Sequence, residues 1–442
     1  MADTQEVTVV YAETRTVEFF NDEKTGTIEV HKRTEGDLNL EGIKFILTGT
    51  SDSGREIEMF AITDKGGKAT FENVPIGTYA ITEDGETTPT AYLVADKVDA
   101  TVIYAETTTV EVFNDEKTGS IEVHKRTEGD LNLEGIEFTL AGTSDSGREI
   151  SMTAKTDAEG KVTFENIPIG TYTITENGET TPTAYLTAEP TEVIVTYAET
   201  NIVEIFNDEK TGTIEVHKRT EGDLNLEGIK FILTGISDSG REIEMFAITD
   251  KDGKATFENV PIGTYAITED GETTPTAYLV ADKVDATVTY AETTTVEVFN
   301  DEKTGSIKVK KRTEGMTDIA GIEFILEGTS DSGRTIRMTA ITDENGVAVF
   351  ENVPIGTYII TENGDTVPTG YLVADEQSVT VYNAKEAEVI FVNEKEKQPQ
   401  IIVPNRPNVL TGDNREVGAI ASAGLLIPLF AVLSIRRKKE EK

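Results

Sequence analysis

Four times along the chain, at intervals of 93 residues, a lysine, a glutamate and an asparagine recur in the same order. They are Lys32, Glu83 and Asn114; Lys125, Glu176 and Asn207; Lys218, Glu269 and Asn300; and Lys311, Glu362 and Asn393. An amine, a carboxyl and a carboxamide are the parts of an acyl transfer. A lysine amine is a nucleophile once it is neutral. A carboxylic acid that has kept its proton can donate it to the asparagine carbonyl and stabilise the charge that develops on that oxygen. Attack on the amide carbon would release ammonia and leave an isopeptide bond, with the protein as its own substrate and one turnover per triad. The chemistry requires a dry site, because desolvation penalises charge and drives an amine towards its neutral form and a carboxyl towards its acid form.

Strand alternation supplies the burial. Ile28, Val30 and Lys32 share parity in one run, Tyr79, Ile81 and Glu83 in a second, and Val110, Val112 and Asn114 in a third. Successive side chains of a strand face opposite ways, so each apolar row ends in one member of the triad. In the most divergent copy Ile307, Val309, Tyr358, Ile360, Val389 and Phe391 keep the same parity. A buried Lys–Glu ion pair with the asparagine as its hydrogen-bond partner, or a lysine snorkelling at the rim, accounts for that parity equally well.

The triads sit in a repeat of domain size. GTIEVHKRTEGD begins at Gly26, GSIEVHKRTEGD at Gly119, GTIEVHKRTEGD at Gly212 and GSIKVKKRTEGM at Gly305. Repeats of 93 residues span 22–114, 115–207, 208–300 and 301–393, and a period of that length indicates a string of domains rather than a solenoid. The first and third differ only at Thr50/Ile236, Gly66/Asp252 and Ile103/Thr289. Within the first repeat, runs rich in Thr, Val, Ile, Tyr and Phe, punctuated by turns such as SDSG, predict strands. These lie near Thr27–Arg33, Ile43–Leu47, Glu56–Ile62, Ala69–Asn73, Thr78–Glu83, Ala91–Ala95, Ala100–Tyr104 and Thr107–Asn114. The fold class read from this is all-β, a tandem of antiparallel immunoglobulin-like (prealbumin-like) sandwiches. The connection from Asn114 to Ile121 is only six residues, DEKTGS, too short to let neighbouring domains wander far. Residues 1–21 match the end of a repeat and read as the last strands of a truncated upstream copy. Asn21 has no upstream lysine and is expected to stay an ordinary amide.

GSIEVHK, the run TDKDGKATFENVPIGTYAITE (Thr249–Glu269) and the terminal VEVFN resemble the Cna B-type, or SpaA-like, domains of Gram-positive surface proteins and pilins. The resemblance covers all four repeats. It implies an intramolecular isopeptide bond in each, joining Lys32 to Asn114, Lys125 to Asn207, Lys218 to Asn300 and Lys311 to Asn393, with Glu83, Glu176, Glu269 and Glu362 as the assisting acids. One departure is the segment after the acid, EDGETTPTAY, longer than the usual spacing; only the fourth repeat keeps PTGY, at Pro368–Tyr371.

The C-terminus carries a second, composite signal. Residues 394–416 read as an extended spacer containing NVLTGD, followed by 19 uncharged residues at 417–435 and a basic tail, RRKK, within 436–442. The uncharged run is long enough to cross a bilayer as a helix, with the basic cluster on the cytoplasmic side. This order resembles a sortase sorting signal, which implies cleavage between Thr411 and Gly412, sortase as a partner and covalent attachment to peptidoglycan through Thr411. Asn408 and Val409 stand where Leu and Pro are expected.

Composition narrows the function. Forty Lys plus Arg against 81 Asp plus Glu give a formal charge of −41, which repels phosphate backbones and sets aside nucleic acid as a partner. The chain has no cysteine and only three histidines, so disulfides and thiolate or imidazole metal sites are unsupplied and neither metal nor cofactor is expected. DKDG at Asp250 and DENG at Asp343 are explained by hairpin turns, since the twelve-residue calcium-loop pattern is missing. His31, His124 and His217 alternate outwards beside the lysines. The expectation is a cell-wall-anchored stalk, not an enzyme on external substrates, that holds an N-terminal region away from the cell. Two alternatives stay open: the repeats themselves bind a host extracellular ligand, or the chain is a sortase-polymerised pilin subunit, for which no YPKN-like segment is present.

Overall fold

Period-two alternation buries one face of every strand, and in each repeat those faces meet between two sheets. The computed structural model describes residues 4–315 and 319–397. In the first repeat the strands are β1 (Thr25–Thr34), β2 (Lys44–Thr50), β3 (Glu56–Ile62), β4 (Lys68–Pro75), β5 (Gly77–Glu83), β6 (Val98–Val102) and β7 (Thr107–Asn114). One sheet has the order β4–β1–β7 and the other β3–β2–β5–β6. The same arrangement recurs in the second, third and fourth repeats as β8–β14, β15–β21 and β22–β28.

The core is the sum of the inward rows. Ile28 and Val30 from β1, Phe45 and Leu47 from β2, Phe71 from β4, and Tyr79 and Ile81 from β5 are all essentially sealed from solvent. Burying a side chain of this size contributes about 1.5–3 kcal/mol. Tyr79 is also tied at its polar end, its Oη donating to the Pro75 carbonyl at 2.9 Å, and Tyr172 does the same to Pro168 at 2.7 Å. Tyr172→Phe strips that bond from a buried carbonyl and is expected to cost about 1–2 kcal/mol, read as a shift in the denaturant midpoint; an unchanged midpoint would mean the bond contributes nothing.

Two expectations are corrected. The sandwich is not wholly antiparallel: β1 and β7 run parallel, with Lys32 opposite Val112 and Thr34 opposite Asn114. The reason is topological, because β6 belongs to the other sheet and the chain crosses over to enter β7 from the end at which β1 begins. The strand expected at Ala91–Ala95 does not form, and Tyr92 makes only an isolated bridge to Glu116. Ala91 and Tyr92 are consecutive and both buried, which breaks the alternation a strand requires. Each sandwich thus has seven strands.

Residues 4–21 carry no strand, and Asn21 is exposed. Among the described residues the only helical turn is a short 3-10 element at Gly364–Thr366, and no helix is long and apolar enough to cross a membrane. Most of the spacer, Thr411, Gly412, the apolar run at 417–435 and the basic tail lie outside the described residues.

Candidate functional site

The triad is assembled from both sheets. β1 carries Lys32 as the next member of the buried row after Ile28 and Val30, and β7 carries Asn114 after Val112. Their parallel register puts the two side chains on the same face of adjacent strands, two positions apart. Glu83 ends the inward row of β5 in the opposite sheet, so stacking the sheets closes the site. The side chains of Lys32 and Glu83 have no solvent exposure, and Asn114 is 1% exposed.

The carboxyl lies between the other two groups. Asn114 Nδ2 donates to Glu83 Oε1 at 2.8 Å, while Lys32 Nζ stands 3.8 Å from Oε2. The amine also donates to the carbonyls of Val112 and Arg33, each at 3.3 Å. The second repeat repeats this with Lys125 Nζ 3.7 Å from Glu176 and Asn207 Nδ2 at 2.8 Å. In the third, Lys218 lies 3.9 Å from Glu269 and Asn300 lies at 2.8 Å.

Two further groups hold the carboxyl, and neither was singled out in the sequence. Thr88 Oγ1 donates to Glu83 Oε1 at 2.8 Å, and the Ala95 backbone N–H donates to Oε2 at 3.3 Å. Thr181 and Thr274 occupy the same place beside Glu176 and Glu269. All three threonines belong to the TTPT segment, the stretch that departs from the family spacing, and its hydroxyl is the signal that marks it. The fourth repeat has Val367 there. Without that donor the carboxyl sits differently: Glu362 Oε2 accepts from both Asn393 Nδ2 and the Ala374 N–H, at 2.7 and 2.9 Å, and Oε1 faces Lys311 Nζ at 3.1 Å.

The expected direction of one hydrogen bond is reversed. The carboxyl accepts from the amide N–H rather than donating to the amide carbonyl, and Oδ1 of Asn114, Asn207, Asn300 and Asn393 is buried with no partner. Half a turn of the terminal amide exchanges its two atoms and places Oδ1 against the carboxyl, where a protonated acid would satisfy it.

Burial governs the amines. It pushes Lys32, Lys125 and Lys218 from the ordinary 10.5 down to about 8, the neighbouring glutamate opposing the shift, and it lowers Lys311 for the same reason. A measurable pH dependence follows. In Asn207→Ala, where the Lys125 amine has no amide to attack, the unfolded chain binds more protons than the folded one between about pH 8 and 10.5. Stability should therefore be lowest below pH 8 and rise through that window. Comparing denaturant midpoints with those of the double variant that also carries Lys125→Met isolates the amine; parallel pH profiles would contradict the shift.

The remaining candidates have structural partners. His124 bonds to Glu122, and His31 and His217 each lie 3.5 Å from the glutamate two residues earlier. Asp250 Oδ1 accepts from the backbone N–H groups of Asp252 and Lys254, and Asp343 Oδ1 from those of Asn345 and Val347, so both carboxylates cap hairpin turns. Among the described residues no cluster of His, Asp or Glu is placed to hold a metal ion.

The model of the SpaA family, described as a prealbumin-like fold domain, matches residues 26–116, 119–209, 212–302 and 305–395. No curated protein matches the chain. Among solved structures, the Bacillus anthracis TIE protein is 19% identical, with 87% of this chain and 76% of that one covered and a TM-score of 0.49. BcpA, the major pilin subunit of Bacillus cereus, is 17% identical over 63% of this chain and 100% of its own, at a TM-score of 0.31. The shaft pilin SpaA of Lactobacillus rhamnosus GG is 15% identical over 42% and 98%, at 0.19.

Proposed function

The chain belongs to the SpaA prealbumin-like domain family, and from that premise we propose that it is the stalk of a Gram-positive surface protein, built of four sandwiches that each staple themselves covalently. The observation that carries the reading is the fourfold recurrence of a buried amine facing the carboxyl that also holds an asparagine amide. The neutral amine of Lys32 attacks Cγ of Asn114. The Nζ–Cγ bond forms, the Cγ–Nδ2 bond breaks, and Nδ2 leaves as ammonia carrying a proton that Nζ gives up. Glu83 faces both nitrogens, so its carboxyl can take the proton from one and return it to the other without any co-reactant. The same roles fall to Glu176, Glu269 and Glu362. The bond joins the first strand to the last, and tension entering at one end of a repeat leaves at the other without peeling β1 from β7.

Anchoring belongs to the same proposal. Thr411 is the residue transferred by sortase to peptidoglycan after cleavage before Gly412, the segment at 417–435 holding the chain in the membrane until then. Fractionating cells that express the full chain tests the reading as a whole. Wild-type protein should be released from the wall only by cell-wall hydrolases, and Thr411→Ala with Gly412→Ala should leave it in the membrane fraction. Recovery of the wild-type chain from the cytoplasm would contradict a surface role.

A further inference from the structure

Successive repeats meet through a built polar socket. After Asn114 the linker residue Glu116 turns into the second repeat, where its carboxylate accepts from Ser146 Oγ and pairs with Arg148 at 2.7 Å. Onto this cluster comes the loop Thr34–Asp37 of the first repeat. The Asp37 N–H donates to the Ser146 carbonyl at 3.0 Å, and Glu35 lies 3.9 Å from Arg148. Gly36 is needed in that loop, since a Cβ there would overlap the Ser146 carbonyl and the Tyr92 hydroxyl. The next two junctions repeat the arrangement, Asp130 donating to Ser239 over Glu209 and Arg241, and Asp223 donating to Ser332 over Glu302 and Arg334. The seated loop seals the cluster, leaving the side chains of Glu116, Glu209 and Glu302 each 2% exposed.

The first repeat carries the same cluster uncovered. Glu23 accepts from Ser53 Oγ and pairs with Arg55 at 2.7 Å, yet Glu23 is 30% and Arg55 59% exposed, and Ser53 is exposed where Ser146, Ser239 and Ser332 are buried. The far end of the array differs. The position of Glu23, Glu116, Glu209 and Glu302 becomes Lys395 after the fourth repeat, and the Asp of the loop becomes Met316. The junction chemistry is therefore kept at the leading face of the first repeat and changed at the trailing end of the last.

We propose that Glu23, Ser53 and Arg55 form a docking surface for a further repeat of this same type, which seats its Thr-Glu-Gly-Asp loop there as the first three repeats seat theirs. The occupant is argued from the chain itself: an acidic loop with an obligatory glycine already fills three copies of the socket, and its glutamate faces the arginine at two of them, Glu35 with Arg148 and Glu221 with Arg334. The inference rests on the reading of the chain as stacked repeats, but not on the isopeptide bonds.

The test uses the full chain with a copy of residues 115–207 placed directly before Asp22 in place of 1–21. The chain has no cysteine, so spin labels on introduced cysteines are unique. Labels at Glu58→Cys and at the position of Ser151 in the added repeat span the new junction, and Glu58→Cys with Ser151→Cys spans an existing one. The proposal expects equally narrow distance distributions at both junctions, and broadening at the new one alone when Ser53→Ala and Arg55→Ala are introduced. Both residues are exposed in the first repeat, so these variants should fold. A broad distribution at the new junction, or one that stays narrow in the variants, overturns the proposal. So would head-to-tail oligomers of the unextended chain that Arg55→Ala abolishes, which would make the occupant a second copy. None of these readouts depends on isopeptide mass, so failure here is separable from failure of the stapling.

Discussion

Lys125→Ala is expected to lower the unfolding temperature of the second repeat by about 16–40 °C while the other three repeats unfold where they did. The proposed covalent link would close a loop of roughly 80 residues, which by loop-closure entropy would stabilise a domain by about 4–5 kcal/mol. A domain of this size shifts by about 4–8 °C per kcal/mol. Alanine also leaves Glu176 buried without its amine, an additional cost, so Lys125→Met, which preserves most of the packing, is the companion variant. Calorimetry of the full chain should show one transition separating from the rest in both variants. A shift of only a few degrees in Lys125→Met would mean that the first and last strands are not joined.

Under load the effect should be larger still. In the wild-type chain, pulling from the two ends tensions each repeat through β1 and β7, and the proposed Lys–Asn link would carry the force past the sandwich. In Lys218→Ala the third repeat has no such bypass. It should unravel as a single event that releases about 80 residues, on the order of 280 Å of extended chain. Single-molecule extension of the full chain reads this directly: no step of that length in the wild type, one in the variant. Four such steps in the wild type would contradict the stalk as proposed.

The triad was legible because strand parity exposes polar residues that continue an apolar row. Lys32 after Ile28 and Val30, and Glu83 after Tyr79 and Ile81, occupy positions that alternation assigns to the core, and the structure buries them there. The seven strands were legible for the same reason. What parity cannot carry is pairing direction, so the parallel β1–β7 register, on which the proximity of Lys32 and Asn114 depends, was missed. It also misreads loops: Ala91–Ala95 has strand composition, but a buried Ala–Tyr pair does not alternate, and the segment serves instead to bring the Ala95 N–H to Glu83. Thr88 and the inter-repeat socket were missed because threonine, serine and arginine in turns are unremarkable until their partners are known, Glu83 lying five residues before Thr88 and Glu116 30 residues before Ser146.

The proposed stapling would require neither a strongly basic amine nor an external catalyst. It would need only that the sheets close on a lysine whose charge burial disfavours, with a carboxyl in reach of both reacting nitrogens. The fourth repeat is informative because Val367 removes one donor to the carboxyl and the amine draws closer, at 3.1 Å. The geometry of the triad thus varies with how its acid is held.

The most direct measurement is the intact mass of the folded full chain. The account predicts a mass below that of the sequence by four molecules of ammonia, and by three in Glu176→Ala, with the second repeat alone unmodified. A folded chain of unreduced mass, or a Glu176→Ala variant that still loses four, would contradict it.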